Sequence, residues 1–236
     1  MTEDSGTSRA ATRIGGWSLI AAALGFMAVF GYLAARFDYP DVLRKPTHEV
    51  LARFREGGRS LVLLWWAFAL TALALAPAVV LLSSAIGDAD GTLLAVATVT
   101  GVLAALVQLL GLIRWPFLVP YLARVAAEPG ASEARQEAVD IVFQAFNRYL
   151  GVAVGEHLGY LLTGAWTTLA GVALTQTTAA PAWIGVPGIV IGPVLALCSL
   201  EFLGGREEGW RVAERLTPIA YVAWSLWLLA TGVAVL

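Results

Sequence analysis

Glu156 and His157 stand side by side in RYLGVAVGEHLGYLLTGAW, a stretch from Arg148 to Trp166 that is otherwise largely apolar. A carboxylate and an imidazole in such a setting can move protons or hold a ligand, and an ionisable side chain inside a membrane span is by default a functional candidate. Burying an ionised glutamate in hydrocarbon is costly. Glu156 must therefore pair with a cation, stay protonated or line a wet cavity. Arg114, Gln108 and Arg148 are its candidate partners. If Glu156 is structural glue, Glu156→Gln removes a charge cost and keeps function.

Neighbouring residues lie about 100° apart around a helix. Glu156 and His157 therefore cannot converge on one metal ion, and the spacing is not that of HExxH zinc peptidases. Tyr160 and Thr163 fall on the Glu156 side, and Trp166 and Thr167 extend it. His157 faces elsewhere, where it either bonds a neighbouring helix or acts as a pH-sensing or ligand group. Gly151, Gly155 and Gly159 are four apart, with Thr163 continuing the row. Such a stripe of small residues lets another helix approach backbone to backbone. It serves an internal pair or a dimer, and with several spans available we expect the internal pair. Gln108 is the polar candidate of the third span, either inter-helix glue or part of the same site.

Catalytic signatures are lacking. The sequence has no GxSxG, no Walker A loop and no CxxC, and Cys198 is its one cysteine. His48 and His157 could ligate a haem only if both were intramembrane, and His48 lies outside the apolar runs. No catalytic residue, metal or cofactor is assigned.

These groups are set in 236 residues of which 58% are hydrophobic and 14% charged, with a mean hydropathy of +0.75. Soluble domains carry about 25% charged residues. The net charge of −2 gives no nucleic-acid footprint. Six apolar runs approach the ~20 residues needed to span a bilayer: about 14–35, 61–83, 93–113, 149–174, 183–203 and 216–236. They are too long and too evenly apolar for barrel strands. We expect an all-α membrane bundle of six spans forming a single domain. The first run exceeds the h-region of a signal peptide and reads as a retained span.

Arginine placement orients the bundle. Thirteen of the 15 basic residues fall in the connections after spans one, three and five, and the turns at 84–92 and 175–182 hold none. The basic side is then cytoplasmic and both termini lie outside. The composition fits a bacterial inner membrane. Two basic-side connections look helical. KPTHEVLARFREGG offers Thr47 as a cap and Gly57-Gly58 as a stop, and Ser132 caps a segment running into span four, making one long rod. Both suit short interfacial helices. Pro116 and Pro120 should kink or restart span three, and Pro187 and Pro193 kink or break span five. Trp17, Trp115 and Trp183 read as interface anchors and the deeper tryptophans as packing. Glu201 is placed to pair with Arg206, and Glu207-Glu208 read as a solvated cluster.

At FNRYLGVAVGEHLGYLLTGAWT the chain resembles a family of bacterial six-helix membrane proteins known as a domain of unknown function. The resemblance rests on Asn147, Gly151, Gly155, Glu156, His157, Gly159, Tyr160 and Trp166. It implies a six-span fold in a bacterial cell membrane and no activity. Two functions stay open: a non-enzymatic scaffold or regulatory protein, or a small-solute or proton-coupled carrier with Glu156 titrating and a cavity between spans three, four and five. The lipid bilayer, a small ligand and a second copy of the chain are the partners to consider.

Overall fold

A computed structural model describes residues 4–203 and 210–236, with side chains from residue 12 onward. Its helices are α1 (Asp4–Phe37), α2 (Thr47–Ala85), α3 (Gly91–Ala126), α4 (Glu133–Phe146), α5 (Gly159–Gln176), α6 (Gly185–Cys198) and α7 (Arg211–Ala234). A π-helical stretch, Asn147–Leu158, joins α4 to α5, and 3-10 turns flank α6. Six helices among the described residues are long and apolar enough to cross a membrane. The fourth is continuous over Glu133–Gln176. The result is the all-α six-span bundle expected from the apolar runs.

Amphipathic helices gather at the basic end. Gly58 takes φ 54°, a conformation glycine adopts without strain, and splits α2 into an interfacial segment and the span proper. Thr47 does not cap that segment, because Pro46 holds the cap position. The Thr47 hydroxyl instead donates to Asp140 and accepts from Gln144 Nε2 at 2.9 Å, tying α2 to α4. Ser132 does cap α4, accepting from the Arg135 amide. Asp38 accepts from Lys45 Nζ at 2.8 Å and from Arg53 at 3.3 Å, fixing the connection before α2 to its first turns.

Prolines interrupt less than their number suggests. α3 runs through Pro116 and Pro120 to Ala126, so span three does not end near Ile113 and does not restart. α6 likewise continues through Pro193, with Pro187 in its first turn. Proline's fixed φ suits a helix, and only one backbone bond is lost at each, which packed neighbours can compensate in a membrane. Close packing supports α6: Gly164 and Gly192 meet where a Cβ on Gly164 would lie 2.4 Å from the Gly192 carbonyl. Gly171 meets Gly185 and Gly188 in the same way.

Two apolar clusters fill the bundle. One, at the basic end, centres on Trp65, Trp115, Phe37, Phe54 and Phe143. Trp115 is therefore not an interface anchor. It is 1% exposed and stacks on Trp65 with centroids 4.3 Å apart. The other, toward the far end, holds Val79, Leu174, Leu195 and three tryptophans, Trp166, Trp224 and Trp227. Trp17 and Trp183 are exposed at 59% and 66%, as anchors are. Glu201 accepts from the Thr217 hydroxyl at 3.1 Å. Its expected partner Arg206, with Glu207 and Glu208, lies outside the described residues.

Asp88 closes the far end. It accepts from the hydroxyls of Thr177 and Thr178 and from the Thr178 amide, joining the α2–α3 turn to the α5–α6 turn. These donors hold its carboxyl down at about 2, against an ordinary value of about 3.9. A depressed acid stabilises the fold fully above its unfolded value and loses that contribution as pH falls through its folded value. Thermal stability of the native chain should therefore fall more steeply between about pH 4 and pH 2 than that of Asp88→Asn, with parallel curves above pH 5. Equal slopes in acid would show that Asp88 clamps nothing.

Candidate functional site

Span three and span four run antiparallel along one glycine seam. Gly155 packs on Gly111 so tightly that a Cβ on Gly155 would lie 2.8 Å from the Gly111 Cα. On the basic side of that contact Gly151 meets Arg114, where a Cβ would lie 2.4 Å from Nη2. On the far side Gly159 meets the side chain of Gln108. The stripe is thus spent inside the molecule, and the room it leaves is occupied by an arginine and a glutamine.

Arg114 is 8% exposed. Its Nη2 donates to Asn147 Oδ1 at 2.9 Å, and its Nη1 donates to the Gly111 carbonyl. Gln108 Nε2 donates to Thr163 Oγ1 at 3.0 Å. The seam continues to Gly101, which makes room for the Trp166 ring. Every polar group so far comes from α3 or from span four, and each lies between the two apolar clusters.

Glu156 is half-buried on the π-helical stretch. Its charge acts on Arg114, Tyr39, Tyr160 and Tyr221. These come from α3, the α1–α2 connection, α5 and α7, so four parts of the chain converge on one carboxyl. Tyr160 packs edge-on to Tyr221 at 5.0 Å and to Phe202 at 5.4 Å. Tyr39 lies edge-on to Trp65 at 5.1 Å. His157 turns to another neighbour: Nδ1 is 2.9 Å from the Ser199 carbonyl. A carbonyl only accepts, so Nδ1 carries the proton and the bond ties span four to the end of span five.

The structure therefore brings together Glu156, Tyr160, Gln108 and Asn147 with Arg114, and sets His157 and Trp166 apart. Trp166 is 1% exposed and lies edge-on to Trp224 and Trp227, a core residue rather than a pocket wall. Arg148 is exposed. Tyr39 and Tyr221 were not singled out by spacing, since they belong to other parts of the chain and carry no local signal. The π-helical turns also escaped a reading at 100° per residue. Strict four-residue spacing drifts about 40° per step around an α-helix. The wider π turn counters that drift, and it keeps Gly151, Gly155 and Gly159 all facing α3. π-helical turns occur often at functional sites.

Chemically, the arrangement offers a carboxyl, a guanidinium, phenols and two side-chain amides. It can compensate a buried charge or exchange a proton. Among the described residues no group of three His, Cys, Asp or Glu side chains could hold a metal ion. A family model described as a domain of unknown function (DUF4386) matches residues 14–232. No curated protein and no solved structure matches the chain.

The Arg114 charge reverses what Glu156 alone suggests. Removing the Glu156 carboxylate takes away a charge that helps compensate the buried guanidinium of Arg114. Glu156→Gln should lower the melting temperature in detergent, and adding Arg114→Met should recover part of the loss. A melting temperature unchanged or raised by Glu156→Gln would remove the pair from the account. Gly155→Ala should cost about 1–3 kcal/mol, because the atom it meets is backbone and cannot rotate away. A neutral result in the same melting assay would mean that the two helices separate freely.

Proposed function

The chain belongs to the DUF4386 family, and we propose that it serves as a non-enzymatic scaffold or regulatory protein of the bacterial inner membrane. On this reading the polar residues around Glu156 fix which helices pack together. The observation that carries it is the use each group is put to. Arg114 is held by Asn147 and the Gly111 carbonyl, Gln108 by Thr163, and His157 by the Ser199 carbonyl. The space beside Gln108, bounded by α1, α2 and α7, has a volume of about 20 Å³. That is room for about one water. The basic end is assigned to the cytoplasm and both termini to the outside, on the distribution of arginines.

A small-solute or proton-coupled carrier, with Glu156 as the titrating group, is the second reading. What favours it is the position of Glu156 on π-helical turns, among side chains from four parts of the chain. Unbroken α6 takes away the feature that would have likened span five to a transporter's discontinuous helix.

Water access separates the two. In a Cys198→Ala background, Thr163→Cys replaces a fully buried hydroxyl beside Gln108. A membrane-impermeant maleimide should not label it from either side of the membrane. Control variants Asp88→Cys and Arg55→Cys should label only from outside and only from inside, respectively. Labelling at position 163 would put the carrier first, and exchanged controls would invert the orientation.

A further inference from the structure

A cleft of about 810 Å³ lies at the basic end, between the first turns of α2, the end of α3 and α4. Its volume is in the range of small-molecule sites, about 300–1,000 Å³. It is walled by two amphipathic helices that flank the membrane spans, so it sits where headgroups would be.

The two walls carry opposite charge. His48 and Arg55 lie on the α2 side, and Glu137 and Asp140 on the α4 side. His48 and Arg55 are seven residues apart, two turns along one helix face. Glu137 and Asp140 are three apart and likewise share a face. His48 lies beside the start of α2, whose first amides have no helical partner. The floor between the walls is apolar, with Leu51 and Val139 buried in it.

Charges of opposite sign on facing helices would ordinarily close on one another. Among the described residues they do not: the five ion pairs include neither Arg55 nor Glu137. Asp140 is held only by the Thr47 hydroxyl, which links the two walls and fixes their spacing. The cleft is therefore kept open with one cationic and one anionic wall.

We propose that this cleft binds the headgroup of a phosphatidylethanolamine from the adjoining leaflet. The phosphate would lie against Arg55 and the start of α2, the primary ammonium against Glu137 and Asp140, and the glycerol and first methylenes over the apolar floor. A purely anionic headgroup meets the carboxylates on one side. A purely cationic ligand meets Arg55. A zwitterion satisfies both walls at once. An ammonium with three N–H donors is preferred over a trimethylammonium, because only the former can hydrogen-bond the carboxylates. This site is separate from the Glu156 network and does not depend on the function proposed for it.

The test is native mass spectrometry of the whole protein, released from detergent with equal amounts of phosphatidylethanolamine, phosphatidylcholine and phosphatidylglycerol. Phosphatidylethanolamine should be retained roughly tenfold over the other two, the ratio that one charge-assisted hydrogen bond supplies. Glu137→Gln should abolish that preference, and Arg55→Gln should lower the retention of phosphatidylethanolamine and phosphatidylcholine alike. Arg211→Gln, on an exposed arginine outside the cleft, should leave it intact. Both cleft residues are exposed, so their variants should fold, and an unchanged melting temperature verifies this. Equal retention of the three lipids, preference for phosphatidylglycerol, a preference that survives Glu137→Gln, or retention unchanged by Arg55→Gln would overturn the proposal.

Discussion

Arg114 can be buried within the membrane-spanning part of this bundle only because Gly151 has no side chain. A guanidinium away from water needs donors satisfied and charge compensated. Asn147 and the Gly111 carbonyl take two of its N–H groups, and Glu156 supplies the opposite charge. All of these lie on α3 or on the span that packs against it. The seam must therefore be narrow, and Gly111 against Gly155 makes it so. A small residue in one place and a large cation in the next are one constraint seen from two sides.

That constraint divides the bundle along its axis. On α3, Ala105 belongs to one apolar cluster and Trp115 to the other, with Gln108 and Arg114 between them. On span four, Phe143 and Trp166 bracket Asn147 and Glu156 in the same way. Aromatic rings close off both sides. The polar layer is thus bracketed along the bundle axis by packed side chains. A buried polar layer of this kind fixes helix register, since a one-turn slip would separate Arg114 from Asn147 and set it against Gly155.

Much of this was legible in the sequence because membrane spans follow a severe rule: backbone groups in hydrocarbon must be satisfied within the span. Length and apolarity alone therefore marked six spans, and Gly57-Gly58 marked the break that separates the interfacial part of α2. The stripe at Gly151, Gly155 and Gly159 announced a close neighbour, and Arg114 was among the candidate partners of Glu156. What stayed hidden is non-local or depends on helix pitch. Tyr39 and Tyr221 reach the site from distant parts of the chain, Trp115 is drawn inward by stacking on Trp65, and the π turns change which residues share a face. A second glycine seam, Gly164 and Gly171 against Gly185, Gly188 and Gly192, joins two separate helices, and which glycines meet across it is a non-local fact.

Those two seams bear on how span four can behave. One glycine row clamps its π-helical half to α3, and the other clamps α5 to α6. His157 adds a bond from the π stretch to the carbonyl of Ser199, where α6 tightens into a 3-10 turn. Any change of pitch around Glu156 therefore pulls on α3 and α6 together, because close-packed interfaces transmit displacement instead of absorbing it. At the basic end the same long helix begins as α4, one wall of the open cleft. Span four is thus a single covalent and hydrogen-bonded connection between the polar layer around Glu156 and the membrane surface, and an occupant of the cleft would act on the helix that carries Glu156.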